Sequence, residues 1–265
     1  MRDSFERRIT YLRISVTDRC NLRCRYCMPE EGIRWMSHDD ILAFEEIVDF
    51  TKIALGLGIT KVRLTGGEPL VRRGVVSLVA MLSALKGIED LAMTTNGVLL
   101  EGYVAELREA GLMRLNISLD TVDPARFREI ARVDALESVL NGIAAARRSG
   151  FPVKINTVIE RSPDEPDAAG VAAWAAAEGL PVRFIRQMDL AHGEFFGVIG
   201  GDGGNCGSCN RIRLLANGVV KPCLFSDLGF SIREHGAEEA IRRAVAVKPE
   251  KGTCNSKGGF YNIGG

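Results

Sequence analysis

The 265-residue chain has no uninterrupted apolar run of about 18 residues, the length that a membrane-spanning helix needs. Its first ten residues, Met1 to Thr10, are too charged for a secretory signal, so the expectation is a cytoplasmic protein. Neither sign of charge is in excess. The 34 basic and 34 acidic side chains give a formal net charge of zero, which offers no bulk attraction to nucleic acid or to an anionic membrane surface. Histidine is scarce: His38, His192 and His235 are scattered without metal-ligand spacing and are assigned no role. What the chain does have is seven cysteines, grouped at short spacings, which fits a reducing compartment better than a disulfide scaffold. With 46% hydrophobic residues it can bury one full core with a small appendage.

Over the first 190 residues, short β-branched or apolar runs alternate with stretches of helical period, which predicts βα units on a parallel sheet. Strands are expected at Tyr11–Val16, Lys61–Thr65, Asp90–Thr94, Arg114–Ser118, Val153–Val158 and Val182–Gln187. Helices are expected near Asp39–Gly56, Gly74–Leu85, Leu99–Ala110, Pro124–Ile130, Leu136–Arg148 and Asp167–Glu178. Six such units predict an α/β fold, a partial (βα)6 TIM-type barrel, with function at the C-terminal ends of the strands. Five of those ends carry candidate groups: the cysteine loop, Gly66-Gly67-Glu68-Pro69, Thr95-Asn96-Gly97, Ser118-Leu119-Asp120 and Met188-Asp189. Taken singly, the glycine-rich pair are ordinary turn sequences. Their shared place behind strands is what suggests a rim.

Cys20, Cys24 and Cys27 form a C-x3-C-x2-C loop just past the first strand. Three thiolates on one short loop suit three irons of a [4Fe–4S] cube, leaving the fourth open to a small molecule. Structural zinc, the rival, wants four closed ligands, and the nearest further cysteine in sequence is Cys206. Beyond Met188 the βα rhythm stops and Gly193–Gly207 is glycine-rich, which sets an expected boundary between residues 1–190 and 191–265. The second part holds Cys206, Cys209, Cys223 and Cys254, four soft ligands that fit either a second iron–sulfur cluster or a zinc ribbon.

The first loop, with Tyr26 just before its last cysteine, resembles the cluster loop of the radical S-adenosylmethionine (radical SAM) enzymes. The resemblance implies a [4Fe–4S] cluster whose open iron is chelated by S-adenosylmethionine, and a 5′-deoxyadenosyl radical that abstracts hydrogen from substrate. It also implies that Tyr26, Gly66, Gly67, Glu68, Thr95, Asn96, Ser118 and Met188 hold that cofactor, with Gly-Gly-Glu at its amino group. No side chain is singled out as catalytic.

Two longer strings narrow the resemblance. Leu12-Arg13-Ile14-Ser15-Val16-Thr17-Asp18-Arg19-Cys20, and Cys206-Gly-Ser-Cys209-Asn210-Arg211-Ile212-Arg213-Leu214 continuing to Lys221-Pro222-Cys223-Leu224-Phe225, are similar to the GTP 3′,8-cyclase family of molybdenum cofactor synthesis. That family implies a second [4Fe–4S] cluster, a C-terminal auxiliary-cluster domain holding it, and GTP bound at its open iron. It implies an electron donor such as flavodoxin or ferredoxin, hand-over of the product to the cyclic pyranopterin monophosphate synthase, and a homodimer. By matching positions, Arg13, Lys154, Arg183, Arg211 and Arg213 are the expected GTP contacts; arginine forks also suit phosphate oxygens on general grounds. The terminal Gly264-Gly265 matches the family's di-glycine tail. Three departures stand beside the match. The chain is short between Met188 and Cys206 and in its C-terminal region, Arg186-Gln187 replaces an acidic residue and an aromatic, and Cys254 adds a fourth thiol. A cluster closed by Cys254 would suit electron transfer on another nucleoside or a peptide. Arg72 and Arg73 are given no firm role.

Overall fold

The structure, a computed structural model, describes residues 1–256 and 259–263. Six parallel strands occupy Tyr11–Ser15 (β1), Lys61–Thr65 (β2), Asp90–Thr95 (β3), Arg114–Ser118 (β4), Val153–Ile159 (β5) and Val182–Arg186 (β6). Helices at Phe44–Gly56 (α1), Val75–Ser83 (α2), Leu100–Glu109 (α3), Pro124–Ala131 (α4), Leu136–Arg148 (α5) and Pro166–Ala177 (α6) connect them. Three further strands, Arg211–Leu214 (β7), Val219–Lys221 (β8) and Phe230–Ser231 (β9), extend the same sheet, whose order is β6-β5-β4-β3-β2-β1-β7-β8-β9. The order is linear, so the sheet is an open (βα)6 half-barrel and not a closed eight. Short helices Ile232–His235 (α7) and Phe260–Ile263 (α9) flank the longer Ala237–Ala246 (α8).

The strands form where expected because their alternation is clean. In β1, Leu12 and Ile14 are fully buried with Val62 and Leu64 of β2 in the main core, while Tyr11, Arg13 and Ser15 take the other face. The first helix departs from expectation. Its predicted start at Asp39 is a single 3-10 turn at His38–Asp40, and the α-helix begins only at Phe44. The reason is tertiary: the Leu42 amide donates to the Ala216 carbonyl at 2.8 Å, which holds residues before Ala43 extended. Glu46 then accepts from the Ala43 amide and caps the helix.

The segment beyond residue 190 joins the sheet of the first 190 residues through β7, which pairs in parallel with β1 from Tyr11↔Arg211 to Ile14↔Leu214. A second small core of Leu190, Leu215, Phe225 and Ile263 seats the C-terminal segment. Gly264 and Gly265, expected to form a functional tail, lie outside the described residues.

Gly142 in α5 packs against the turn after β3: a Cβ there would meet the Gly97 carbonyl oxygen at 2.4 Å. Mid-helix glycine to alanine ordinarily stabilises by about 0.5–1 kcal/mol. Here the sign should reverse, with Gly142→Ala lowering stability in urea denaturation by about 1–3 kcal/mol through overpacking.

Candidate functional site

The C-terminal strand ends surround one cavity of about 890 Å³. Cys20, Cys24 and Cys27 line one side of it. Their loop is closed by the Cys27 and Met28 amides, both donating to the Cys24 carbonyl at 2.9 Å. Asn96 Nδ2 donates to the Cys20 sulfur at 3.7 Å and to Asn21 Oδ1 at 2.7 Å, joining the loop to the end of β3. Burial pushes all three thiols up, Cys27 to about 12, and Asp120 and the neighbouring thiols add to the rise at Cys24. Such a trio fits a metal cluster, because bound iron supplies the positive charge that makes thiolates favourable. Among the described residues no three His, Cys, Asp or Glu side chains converge as a single metal ion requires. A cubane spreads its thiolates over separate irons, which three thiolates on one loop suit.

Behind the cysteines, Gly66 and Gly67 press on the chain that leads into them. A Cβ on Gly67 would lie 2.2 Å from the Arg19 carbonyl oxygen, and one on Gly66 would lie 2.5 Å from that of Thr17. The Gly67 amide donates to Thr17 and the Glu68 amide to Arg19, each at 2.8 Å. Glu68 is 1% exposed and accepts from Thr95 Oγ1 at 2.7 Å, the Asn96 amide at 2.6 Å and the Leu70 amide at 3.0 Å. Burial outweighs these bonds and lifts its carboxyl from 4.5 to about 7. Tyr26 donates to Asp120 Oδ2 at 2.7 Å, and Asp120 Oδ1 accepts from the Val158 amide at 2.8 Å. Burial pushes the phenol and the Asp120 carboxyl upward. Ser118 and Met188 complete this side of the cavity.

Another part of the lining is basic. Arg213, Arg13 and Arg63 occupy register-matched positions on β7, β1 and β2, so three guanidinium groups stand side by side. Burial lowers Arg13 and Arg63 to about 9 and Arg213 to about 10, and Arg213 lowers Arg13 as Arg13 lowers Arg63. The Tyr11 ring lies beneath both, 6.0 Å from the Arg13 guanidinium and 5.5 Å from that of Arg63. The Nε atoms of Arg13, Arg63 and Arg183 and the Thr94 hydroxyl are buried without hydrogen-bond partners. Lys154, whose ammonium is pushed down first by Arg183, and Arg211, which donates to the Asp202 carbonyl at 3.2 Å, line the same cavity. Arg114 differs, because Asp90 neutralises it through contacts of 2.6 and 2.7 Å. Clustered buried cations with unused donors suit a polyanion.

Cys206, Cys209 and Cys223 line this cavity too. Burial alone would raise Cys209, but the Lys248 ammonium and the Arg211 amide bring it below the ordinary thiol value. A Cβ on Gly252 would lie 3.4 Å from the Cys223 sulfur. Cys254, two residues on, is partly buried and is not among the residues lining the cavity. Among the described residues, the structure therefore brings every expected cofactor, cluster and GTP residue into one cavity except Cys254. Arg63, Thr94, Lys248 and Arg7 were not expected. Arg63 was findable, since Lys61, Arg63 and Thr65 are the polar alternates of an otherwise apolar strand. Lys248 and Arg7 act through backbone carbonyls and leave no sequence pattern. Arg72 serves the scaffold, donating to the carbonyls of Val16 at 2.7 Å and Leu42 at 2.6 Å.

Residues 14–167 match the family model of the radical SAM superfamily. A GTP 3′,8-cyclase of Geobacter sulfurreducens is 41% identical, covering 94% of this chain and 93% of that protein. One from Campylobacter fetus is 39% identical over 99% of both chains, and one from Moorella thermoacetica is 41% identical over 94% of both. The Geobacter alignment runs to 302 positions, longer than the 265-residue chain, so this chain carries internal gaps against that relative. Among solved structures, Streptococcus suis SuiB bound to S-adenosylmethionine aligns with a TM-score of 0.64 at 14% identity, over 91% of this chain and 64% of that one. Methylornithine synthase aligns with a TM-score of 0.55 at 20% identity, over 69% and 54%. At such identities these two show the fold alone.

Glu68 carries a pH signature. Its folded value lies above the unfolded one, so its contribution to stability is present below pH 4.5 and is lost as pH rises through about 7. Metal-free protein should therefore lose roughly 3 kcal/mol from this group between pH 4.5 and pH 8, at 1.36 kcal/mol per unit. Glu68→Gln should flatten that part of the pH dependence in urea denaturation.

Proposed function

We propose, for a chain that belongs to the radical SAM superfamily and within it to the GTP 3′,8-cyclase family, that it converts GTP to (8S)-3′,8-cyclo-7,8-dihydroguanosine 5′-triphosphate. The observation that carries the reading is the basic wall. Three register-matched buried arginines, two of which (Arg13 and Arg63) have buried Nε donors without partners, line one cavity with three partly buried cysteines at the spacing of a radical SAM cluster.

When bound, the [4Fe–4S] cluster and S-adenosylmethionine supply a hydrogen-abstracting radical. The chain's own residues do the rest. Cys20, Cys24 and Cys27 hold the cluster, and Tyr26, tied to Asp120, fixes the loop. Gly66 and Gly67 let their segment pack tightly on the chain leading into the cysteine loop, and the Gly66-Gly67-Glu68 segment takes the cofactor's ammonium group. Thr95 Oγ1 and the Asn96 backbone amide hold Glu68 in place while Asn96 Nδ2 steadies Cys20. Ser118 and Met188 face the remainder of the cofactor. Arg13, Arg63, Lys154, Arg183, Arg211 and Arg213 take the triphosphate, with Thr94 adding a hydroxyl.

Cys206, Cys209 and Cys223 would hold a second [4Fe–4S] cluster, which would supply a Lewis-acidic iron for the purine of GTP. Cys254, outside the cavity lining, favours this three-cysteine set over a closed cluster. The enzyme works in the cytoplasm as a homodimer, takes electrons from a carrier such as flavodoxin or ferredoxin, and passes its product to the cyclic pyranopterin monophosphate synthase.

Anaerobically reconstituted protein should bind about eight irons per chain, as two cubanes require. With GTP, S-adenosylmethionine and dithionite it should yield the 3′,8-cyclised nucleotide by mass spectrometry. Arg63→Met should raise the KM for GTP about tenfold or more, the loss of a charge-assisted phosphate contact. Full iron loading with no GTP-dependent product would overturn the reading.

A further inference from the structure

Lys248, just past α8, is 3% exposed. Its Nζ donates to the carbonyl oxygens of Arg211 and Pro222, both at 2.8 Å. Arg211 lies two residues after Cys209, and Pro222 immediately precedes Cys223. One ammonium therefore ties together the backbones that present two of the three cavity-lining cysteines of the second set. The same ammonium faces the Cys209 sulfur.

Charge balance gives this contact its meaning. Carbonyl oxygens solvate a buried cation but leave its charge in place, and a buried ion needs a counter-charge. Arg7 offers the comparison on the other flank. It donates to the carbonyls of Cys206 at 2.7 Å, Pro249 at 2.7 Å and Glu250 at 2.9 Å, so it too braces the second cysteine set. Its charge, however, is taken up by Asp3, whose Oδ2 accepts from Nε at 2.6 Å. The carbonyl partners of Lys248 are neutral, and the Cys209 thiol beside it is a group able to carry negative charge.

We infer that Lys248 is a positioning residue for the second cysteine set, whose cation balances the negative charge of the bound cluster and raises its reduction potential. The inference rests on the proposed second cluster at Cys206, Cys209 and Cys223. Reduction adds an electron to a group already made anionic by thiolates, and a fixed cation in a low-dielectric site stabilises the reduced state more than the oxidised one. Hydrogen bonds and charges outside the ligand shell are a general means of tuning such centres. Because Lys248 also holds the Pro222 carbonyl, it sets where Cys223 stands relative to Cys209.

The experiment uses full-length protein carrying Cys20→Ala, Cys24→Ala and Cys27→Ala, so that only the second site can load. Iron content and the midpoint potential by redox-titrated electron paramagnetic resonance are compared for Lys248, Lys248→Gln and Lys248→Arg. Gln keeps a donor without the charge; Arg keeps the charge. At the parent midpoint, Lys248→Gln should show the reduced-to-oxidised ratio lowered about tenfold, a shift of 59 mV to more negative potential for one electron. Lys248→Arg should stay close to the parent. Loss of iron in Lys248→Gln with retention in Lys248→Arg would equally support a required cation. A loaded Lys248→Gln with an unmoved potential, or loss of iron in both variants, would overturn the inference. Failure of the Lys248 parent itself to bind about four irons would instead sink the second-cluster reading.

Discussion

Strand β1 is paired in parallel on both edges, with β2 on one side and β7 on the other, and the site depends on that double pairing. Parallel register carries matched residues to matched heights, so Arg13 stands between Arg63 and Arg213 with no freedom to separate from them. The same strand runs directly into the first cysteine loop, while β7 follows directly from Cys209. A single hydrogen-bonded ladder thus sets the distance between two cysteine sets that are almost two hundred residues apart in sequence.

The site is built from charges of opposite sign held apart. Glu68, Asp120 and the first cysteines lie on one side, each pushed toward its neutral form by burial. Arg13, Arg63 and Arg213 form the other group, each pushed down by burial and by a neighbouring arginine. Both sets line one cavity of about 890 Å³. Ionised groups held this way bear a desolvation cost that a ligand of the right charge relieves, an ammonium at Glu68 and phosphates at the arginines. The fold stores a preference for a zwitterionic cofactor beside a polyanion. Membership of the GTP 3′,8-cyclase family and the charge layout point the same way, from unrelated observations.

Much of this was legible beforehand. Strands β2 and β4 lie where alternation places them, and Gly67 was singled out from its place in the Gly-Gly-Glu-Pro run, although only the structure shows that the space beside it is taken by the Arg19 carbonyl, 2.2 Å from its Cβ position. The first cysteine loop is local, and local spacing is what a sequence displays. Arg63 went unassigned because its importance comes from the neighbours that pairing gives it. The start of α1 at Phe44 was invisible for a similar reason, since the bond that displaces it comes from Ala216.

The sequence by itself determined the βα rhythm, the cluster loop and the candidate rim, because each is written in contiguous residues governed by backbone preference and metal-ligand spacing. Only the tertiary structure decided that β7 adds to the sheet beside β1, and that Cys254 falls outside the cavity lining while Cys206, Cys209 and Cys223 fall within it. It also decided that a buried lysine from beyond α8 braces the second set. Those facts depend on pairing and on backbone carbonyls, which carry no side-chain signature and take their partners only once the chain has closed on itself.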